Sequence, residues 1–207
     1  MNSNLVNKHI RTILKPFLVE NGYNKITDRN YTKSVGIFNY IIEIKSVGNY
    51  FTGVTGWPPQ SICLTSGVFC NVIKPWHKKE YHYQIANIFS LDQAKYKDKL
   101  KTDPEKKRKD ILWIDESTDL EQIINELKKS IQNYSFAFFD KFINKSIEDV
   151  IQEYEKNSND NYHGSFRLYY LYKYQKMEDE AEKRKIIFIE EGKKLGLKEK
   201  ELLKTFE

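Results

Sequence analysis

The densest chemistry in the sequence lies in IKPWHKKEYHY, residues 73–83, where Trp76, His77, Lys78, Lys79, Tyr81, His82 and Tyr83 crowd into one span. Two of the four histidines are here. An imidazole beside a carboxylate is a general acid–base pair, and several His or Cys side chains converging from fixed spacings hold a metal. The spacing argues against both. His77 and His82 are five residues apart, on opposite faces of a strand and poorly aligned on a helix. Cys63 and Cys70 sit seven apart in an apolar run, again on opposite faces of an unbroken strand, and read as small buried hydrophobes. No metal and no cofactor are expected. As a contact surface the span makes better sense, because Trp and Tyr among basic neighbours form interface hot spots and stacking platforms for single-stranded nucleic acid. Trp57, Trp76, His77, Lys78, Lys79 and Tyr81 are the partner-binding candidates. The competing reading makes Trp76 a lid on the core after a turn at Pro75.

Other chemical signatures are absent. The sequence has no GxxxxGK[ST] phosphate loop, no GxGxxG after a strand, no GxSxG elbow and no HExxH. Asp115 and Glu116 form an acidic pair beside Trp113, but they directly precede a helix start, where the helix dipole favours carboxylates.

The elements that must position these residues follow from periodicity. Leu5, Val6, Ile10, Ile13, Leu14, Phe17 and Leu18 recur at helical spacing. Ser3 or Asn4 is the expected cap, Pro16 a kink or early end, and Asn21-Gly22 the stop. NKITDRNYTKSV reads as a short leading strand. Period-two alternation follows in GIFNYIIEIKSV and SICLTSGVFCNVI, with Phe38, Tyr40, Ile42 and Ile44 on one face of the first. NYFTGVTGWPPQ between them reads as a loop. EYHYQIANIF and ILWI (111–114) are further strand candidates, and YKDKLKTDPEKKRKD (96–110) an exposed loop. From Thr118 the pattern is helical. Thr118 to Glu121 forms a capping box, SFAFFDKF continues that helix into the core, and Ser146 opens another. NSNDNYHG (157–164) reads as a linker before two or three further helices, with Gly192 and Gly196 as end signals. The expected fold is α+β: an N-terminal helix, an antiparallel sheet of about four to five strands, C-terminal helices packed on one side, and a helical hairpin tail. Residues 1–156 make the α+β domain and 157–207 the helical extension.

Composition bounds the rest. The chain of 207 residues is 40% hydrophobic and 14% aromatic, enough for a real core. Its net charge of +5 is unevenly spread: residues 1–90 hold 10 Lys/Arg against 4 Asp/Glu, whereas residues 117–207 hold 16 against 18. A basic first half invites an anionic partner. Yet Lys outnumbers Arg 29 to 5 beside 16 asparagines, a bias of base composition more than a set of phosphate-gripping forks. Nothing reads as a secretory signal or membrane span, so a cytoplasmic location is expected.

The stretches LVNKHIRTILKPFLVENGYNK, FNYIIEIKS, FTGV…SGVF and LWIDESTDLEQIINELKKSIQNYSFAFFDKF resemble an uncharacterised bacterial domain-of-unknown-function family of small cytosolic α+β proteins. The resemblance spans residues 5–156. It implies a fold and carries no catalytic residues. The functional expectation is a non-enzymatic protein-interaction module, by analogy an immunity, antagonist or accessory factor in bacterial conflict. Nucleic-acid binding by the basic first half is the alternative, and a hydrolase-like site on His77 or His82 the second alternative.

Overall fold

The computed structural model describes residues 2–73, 84–87, 111–158 and 162–206, with residues 84–87 as backbone. The described residues divide into two compact units: 2–69, 84–87 and 111–143 in the first, and 70–73, 144–158 and 162–206 in the second. The second unit therefore includes the helix at 147–158, which the sequence pattern groups with residues 1–156.

In the first unit the N-terminal stripe forms helix α1 (Ser3–His9), a π-type turn (Ile10–Leu14) and helix α2 (Lys15–Glu20). The cap is Asn2, just ahead of the expected Ser3 or Asn4, and its side-chain oxygen accepts from the Asn4 N–H at 2.8 Å. Pro16 does not end the helix. The widened turn lets the Lys15 N–H reach the Ile10 carbonyl, so Pro16 falls in the first turn of α2, where a missing donor costs little. The stop is as read. Gly22 takes a left-handed φ of 83°, its N–H donates to the Val19 carbonyl (2.9 Å) and the Tyr23 N–H to the Leu18 carbonyl (2.9 Å). Tyr23 is thereby turned inward and is 3% exposed.

The leading strand is in fact a hairpin, β1 (Asn24–Thr27) and β2 (Asn30–Val35), turning at Asp28-Arg29 without the Gly that usually marks such a turn. Strands β3 (Phe38–Ser46), β4 (Ile62–Cys70) and β5 (Gln84–Asn87) complete a five-strand antiparallel sheet in the order β1-β2-β3-β4-β5, and the two-residue β6 (Ile111–Leu112) also pairs with β4. The β2–β3 register sets Tyr31, Lys33 and Val35 opposite Ile42, Tyr40 and Phe38, all on one face. The expected loop before β4 is partly helical, α3 (Gly48–Thr55), ended by Gly56 at φ 75°. Its glycines and β-branched residues have low helix propensity, so the sequence gives no warning of it.

Helix α4 (Leu120–Ser130), a second π-type turn (Ile131–Ser135) and α5 (Phe136–Asp140) cover the Phe38–Tyr40 face, as the run SFAFFDKF suggests. The N-cap is Asp119 and not Thr118: its carboxylate accepts from the Gln122 N–H at 3.1 Å. A buried hydrogen bond from Ser66 Oγ on β4 to Ser135 Oγ (2.7 Å) ties the π-turn to the sheet.

The second unit contains α6 (Ile147–Ser158), α7 (Tyr162–Tyr174), α8 (Glu178–Lys194) and α9 (Glu199–Lys204). Ser146 opens α6 as expected, exchanging hydrogen bonds with Asp149 through both backbone N–H groups and its hydroxyl. The expected linker 157–164 is largely consumed by helix, since α6 runs to Ser158 and α7 starts at Tyr162. Tyr162, Phe166, Phe188 and Leu202 form the core. Gly196 (φ 82°) ends α8, but Gly192 does not. It lies inside the helix because a Cβ there would stand 2.7 Å from Leu202 Cδ2 and 2.8 Å from Tyr162 Cε2.

Candidate binding pocket

A cavity of about 310 Å³ opens in the first unit where the α2–β1 turn, the β2–β3 pair and α5 meet. Its walls are aromatic. Tyr23 stacks on Phe136 (centroids 5.8 Å apart, 8° between planes) and Tyr40 on Phe139 (4.7 Å, 4°). Val35 and the exposed Ile143 add aliphatic surface, and Asn21, Lys33 and Asp140 bring polar groups.

Each polar group arrives by a traceable route. Lys33 shares the inward face of β2 with the buried Tyr31, because the strand alternates with period two. Its stem crosses the turn at Gly22, where an added Cβ would sit 3.4 Å from Lys33 Cε. Lys33 Nζ donates to the Asn21 carbonyl (3.0 Å) and lies 5.7 Å from the Tyr23 ring centroid. Asp140 ends α5 one residue after Phe139.

These groups do not satisfy one another. The Tyr40 hydroxyl is buried without a hydrogen-bond partner. Among the described residues, the Tyr23 hydroxyl and the Asp140 carboxylate make no hydrogen bond, and Lys33 has no carboxylate partner. Burial pushes both phenols above the ordinary tyrosine value. The neighbouring Asp140 charge pushes each the same way, and Tyr23 also feels Tyr40. Both phenols therefore remain neutral donors in the ordinary pH range. The pocket offers an ammonium, a carboxylate and two phenol O–H groups around apolar walls.

The residues singled out from the sequence lie elsewhere. Trp76, His77, Lys78, Lys79, Tyr81 and His82 fall outside the described residues. Trp57 is 4% exposed and tilts against Trp113 (5.3 Å, 52°) in a small core with Ile111, so its indole is spent on packing and offers no free stacking face. Asp115 accepts from Trp113 Nε1 (2.7 Å), the Ser117 N–H (2.9 Å) and the Ser117 hydroxyl (2.7 Å), and fastens the loop before α4. Cys70 is buried and its thiol is pushed up by desolvation. Among the described residues no group of His, Cys, Asp and Glu is placed to hold a metal ion, and no helix is long and apolar enough to cross a membrane.

No family model, curated protein or solved structure matches the chain. What the protein does must follow from its own geometry. The pocket left one mark in the sequence: Lys33 alternates with Tyr31 and Val35, a charge on an apolar strand face. Tyr23 and Asp140 left none, since they join the cavity only through the turn at Gly22 and the end of α5.

Proposed function

We propose that this is a non-catalytic recognition protein that docks another protein through the Tyr23–Tyr40 pocket. The observation that carries the reading is a buried Tyr40 hydroxyl without a partner in a ready-made aromatic cavity on which Lys33 and the exposed Asp140 converge. Buried polar groups are ordinarily satisfied internally, and a concave apolar site with a few convergent polar groups is where a ligand goes. Recognition is favoured over catalysis because the two buried phenols hold their protons and the pocket brings no nucleophile beside a base. One inserted side chain from the partner would act as the anchor of the interface, with neighbouring contacts excluding water.

The test uses the exposed rim residue Ile143, replaced by the photo-crosslinker p-benzoylphenylalanine, in cells that carry the native gene. The expected result is one discrete protein adduct that disappears when Lys33→Met and Asp140→Asn are added. No adduct, or an adduct indifferent to those substitutions or equally formed from Leu195 in the second unit, would overturn the reading.

A further inference from the structure

Resting on that reading of the pocket, we infer that its occupant is a neutral planar ring carrying both a hydrogen-bond donor and an acceptor, and specifically the phenol side chain of a tyrosine on the partner segment. Three observations lead there. First, Lys33 and Asp140 give the lining one positive and one negative group. A ligand with a formal charge meets one of them favourably and is repelled by the other. A neutral hydroxyl suits both, donating to the Asp140 carboxylate while accepting from the Lys33 ammonium.

Second, the walls favour a ring. Tyr40 stacks on Phe139 (4.7 Å) and Tyr23 on Phe136 (5.8 Å), with the Tyr23 and Phe139 planes 42° apart, so the two stacks form a tilted aromatic wall. A flat body packs against such a wall in the offset or edge-on arrangements that aromatic pairs prefer. Val35 and Ile143 supply aliphatic contact for its edges.

Third, size limits the choice. The cavity of about 310 Å³ lies at the lower end of ligand pockets, roughly 300–1,000 Å³. That is room for one ring and not for a nucleotide with its sugar and phosphate. An arginine would stack on the rings, but its fixed positive charge would face Lys33. A phenylalanine would fill the walls, leave the buried Tyr40 hydroxyl without a partner and cover Lys33 and Asp140 without bonding to either, which is the costlier outcome for polar groups losing water.

The inference is tested by titrating the isotope-labelled full chain with four small probes and following backbone resonances by NMR. The probes are N-acetyl-tyrosinamide, N-acetyl-phenylalaninamide, tyramine and 3-(4-hydroxyphenyl)propionate. We expect N-acetyl-tyrosinamide to shift the resonances of Tyr23, Lys33, Tyr40 and Asp140 saturably, and to bind about fivefold or more tightly than the phenylalanine analogue. It should also outbind both charged probes, and its advantage over phenylalaninamide should vanish in Lys33→Met/Asp140→Asn. Equal binding of the tyrosine and phenylalanine probes would overturn the phenol inference and leave the pocket standing as an apolar site. Tighter binding of either charged probe would overturn the donor–acceptor argument in the same way. If no probe moves any pocket resonance at millimolar concentration, the inference and the docking reading of this cavity fall together.

Discussion

Tyr170 and Tyr172 of the helical unit and Tyr40 of the α+β unit use their hydroxyls differently. In the helical unit two phenols are paired: the Tyr170 hydroxyl donates to the Thr205 carbonyl at 3.1 Å, and the Tyr172 hydroxyl donates to Glu155, which also lies 3.8 Å from Arg184. Lys145 and Glu153 pair as well. In the α+β unit the buried Tyr40 hydroxyl has no partner, and the half-buried Lys33 and exposed Asp140 stand with it around one cavity. The same chemistry is thus closed at Tyr170 and Tyr172, and at Tyr31, whose hydroxyl donates to the Asp28 carbonyl at 3.1 Å, but open at Tyr40. An unpaired buried hydroxyl costs stability, and we read the one at Tyr40 as held for the ligand proposed above.

That contrast can be broken or sharpened experimentally. The largest effect is expected from Phe139→Ala, which removes a 2% exposed ring from the wall shared with Tyr40. It should cost about 3–5 kcal/mol in urea unfolding and erase the pocket, whereas an apolar core without a pocket would lose stability alone. Next comes alkaline pH. Burial raises Tyr31 to about 12, so the folded state keeps its proton when the unfolded chain begins to ionise near pH 10. Its contribution is fully present below pH 10 and is lost as pH rises through 12. The loss is on the order of 2–3 kcal/mol from this residue. Tyr170 and Tyr172, also raised to about 12, should weaken the helical unit over the same window. Melting temperature followed from pH 8 to 12 checks this, and a flat profile would contradict it.

Gly192→Ala should cost about 1–3 kcal/mol, because Leu202 and Tyr162 occupy the space of the new methyl group. Smaller still are two hydroxyl deletions that address the contrast itself. Tyr172→Phe should cost about 1–2 kcal/mol by leaving Glu155 short of a donor. Tyr40→Phe should cost nothing, within ~0.5 kcal/mol, because the hydroxyl it removes has no partner. Equal losses would show that Tyr40 is paired in solution and that it does not differ from Tyr172.

Much of this architecture was legible from residue pattern, because the core elements obey simple periods. The alternation of Phe38, Tyr40, Ile42 and Ile44 marks β3 and its buried face, and Asn21-Gly22 marks the turn that seats Tyr23. What escaped were departures from local preference. Helix α3 forms across glycines that argue for a loop, and Pro16 is absorbed by a π-type turn. The hairpin at Asp28-Arg29 lacks its usual residues. The candidate site escaped for a related reason. Attention goes to crowded chemistry such as Trp76 to Lys79, while a pocket assembled from residues 21, 33, 40 and 140 is a product of register and packing. Of its members, Lys33 alone breaks a local rule, as a charge on the inward face of β2.

Lys33 therefore gives the most direct test of the central claim that the polar groups of this pocket serve a ligand. Lys33→Met keeps the length and apolar stem of the side chain while removing its charge and its bond to the Asn21 carbonyl. The paired measurement is urea-unfolding stability of the free protein together with affinity for N-acetyl-tyrosinamide. The account expects stability unchanged or raised by up to ~1 kcal/mol, with probe affinity falling to that of the phenylalanine analogue. A stability loss of more than about 1 kcal/mol with probe affinity intact would show that Lys33 serves the fold and not a ligand.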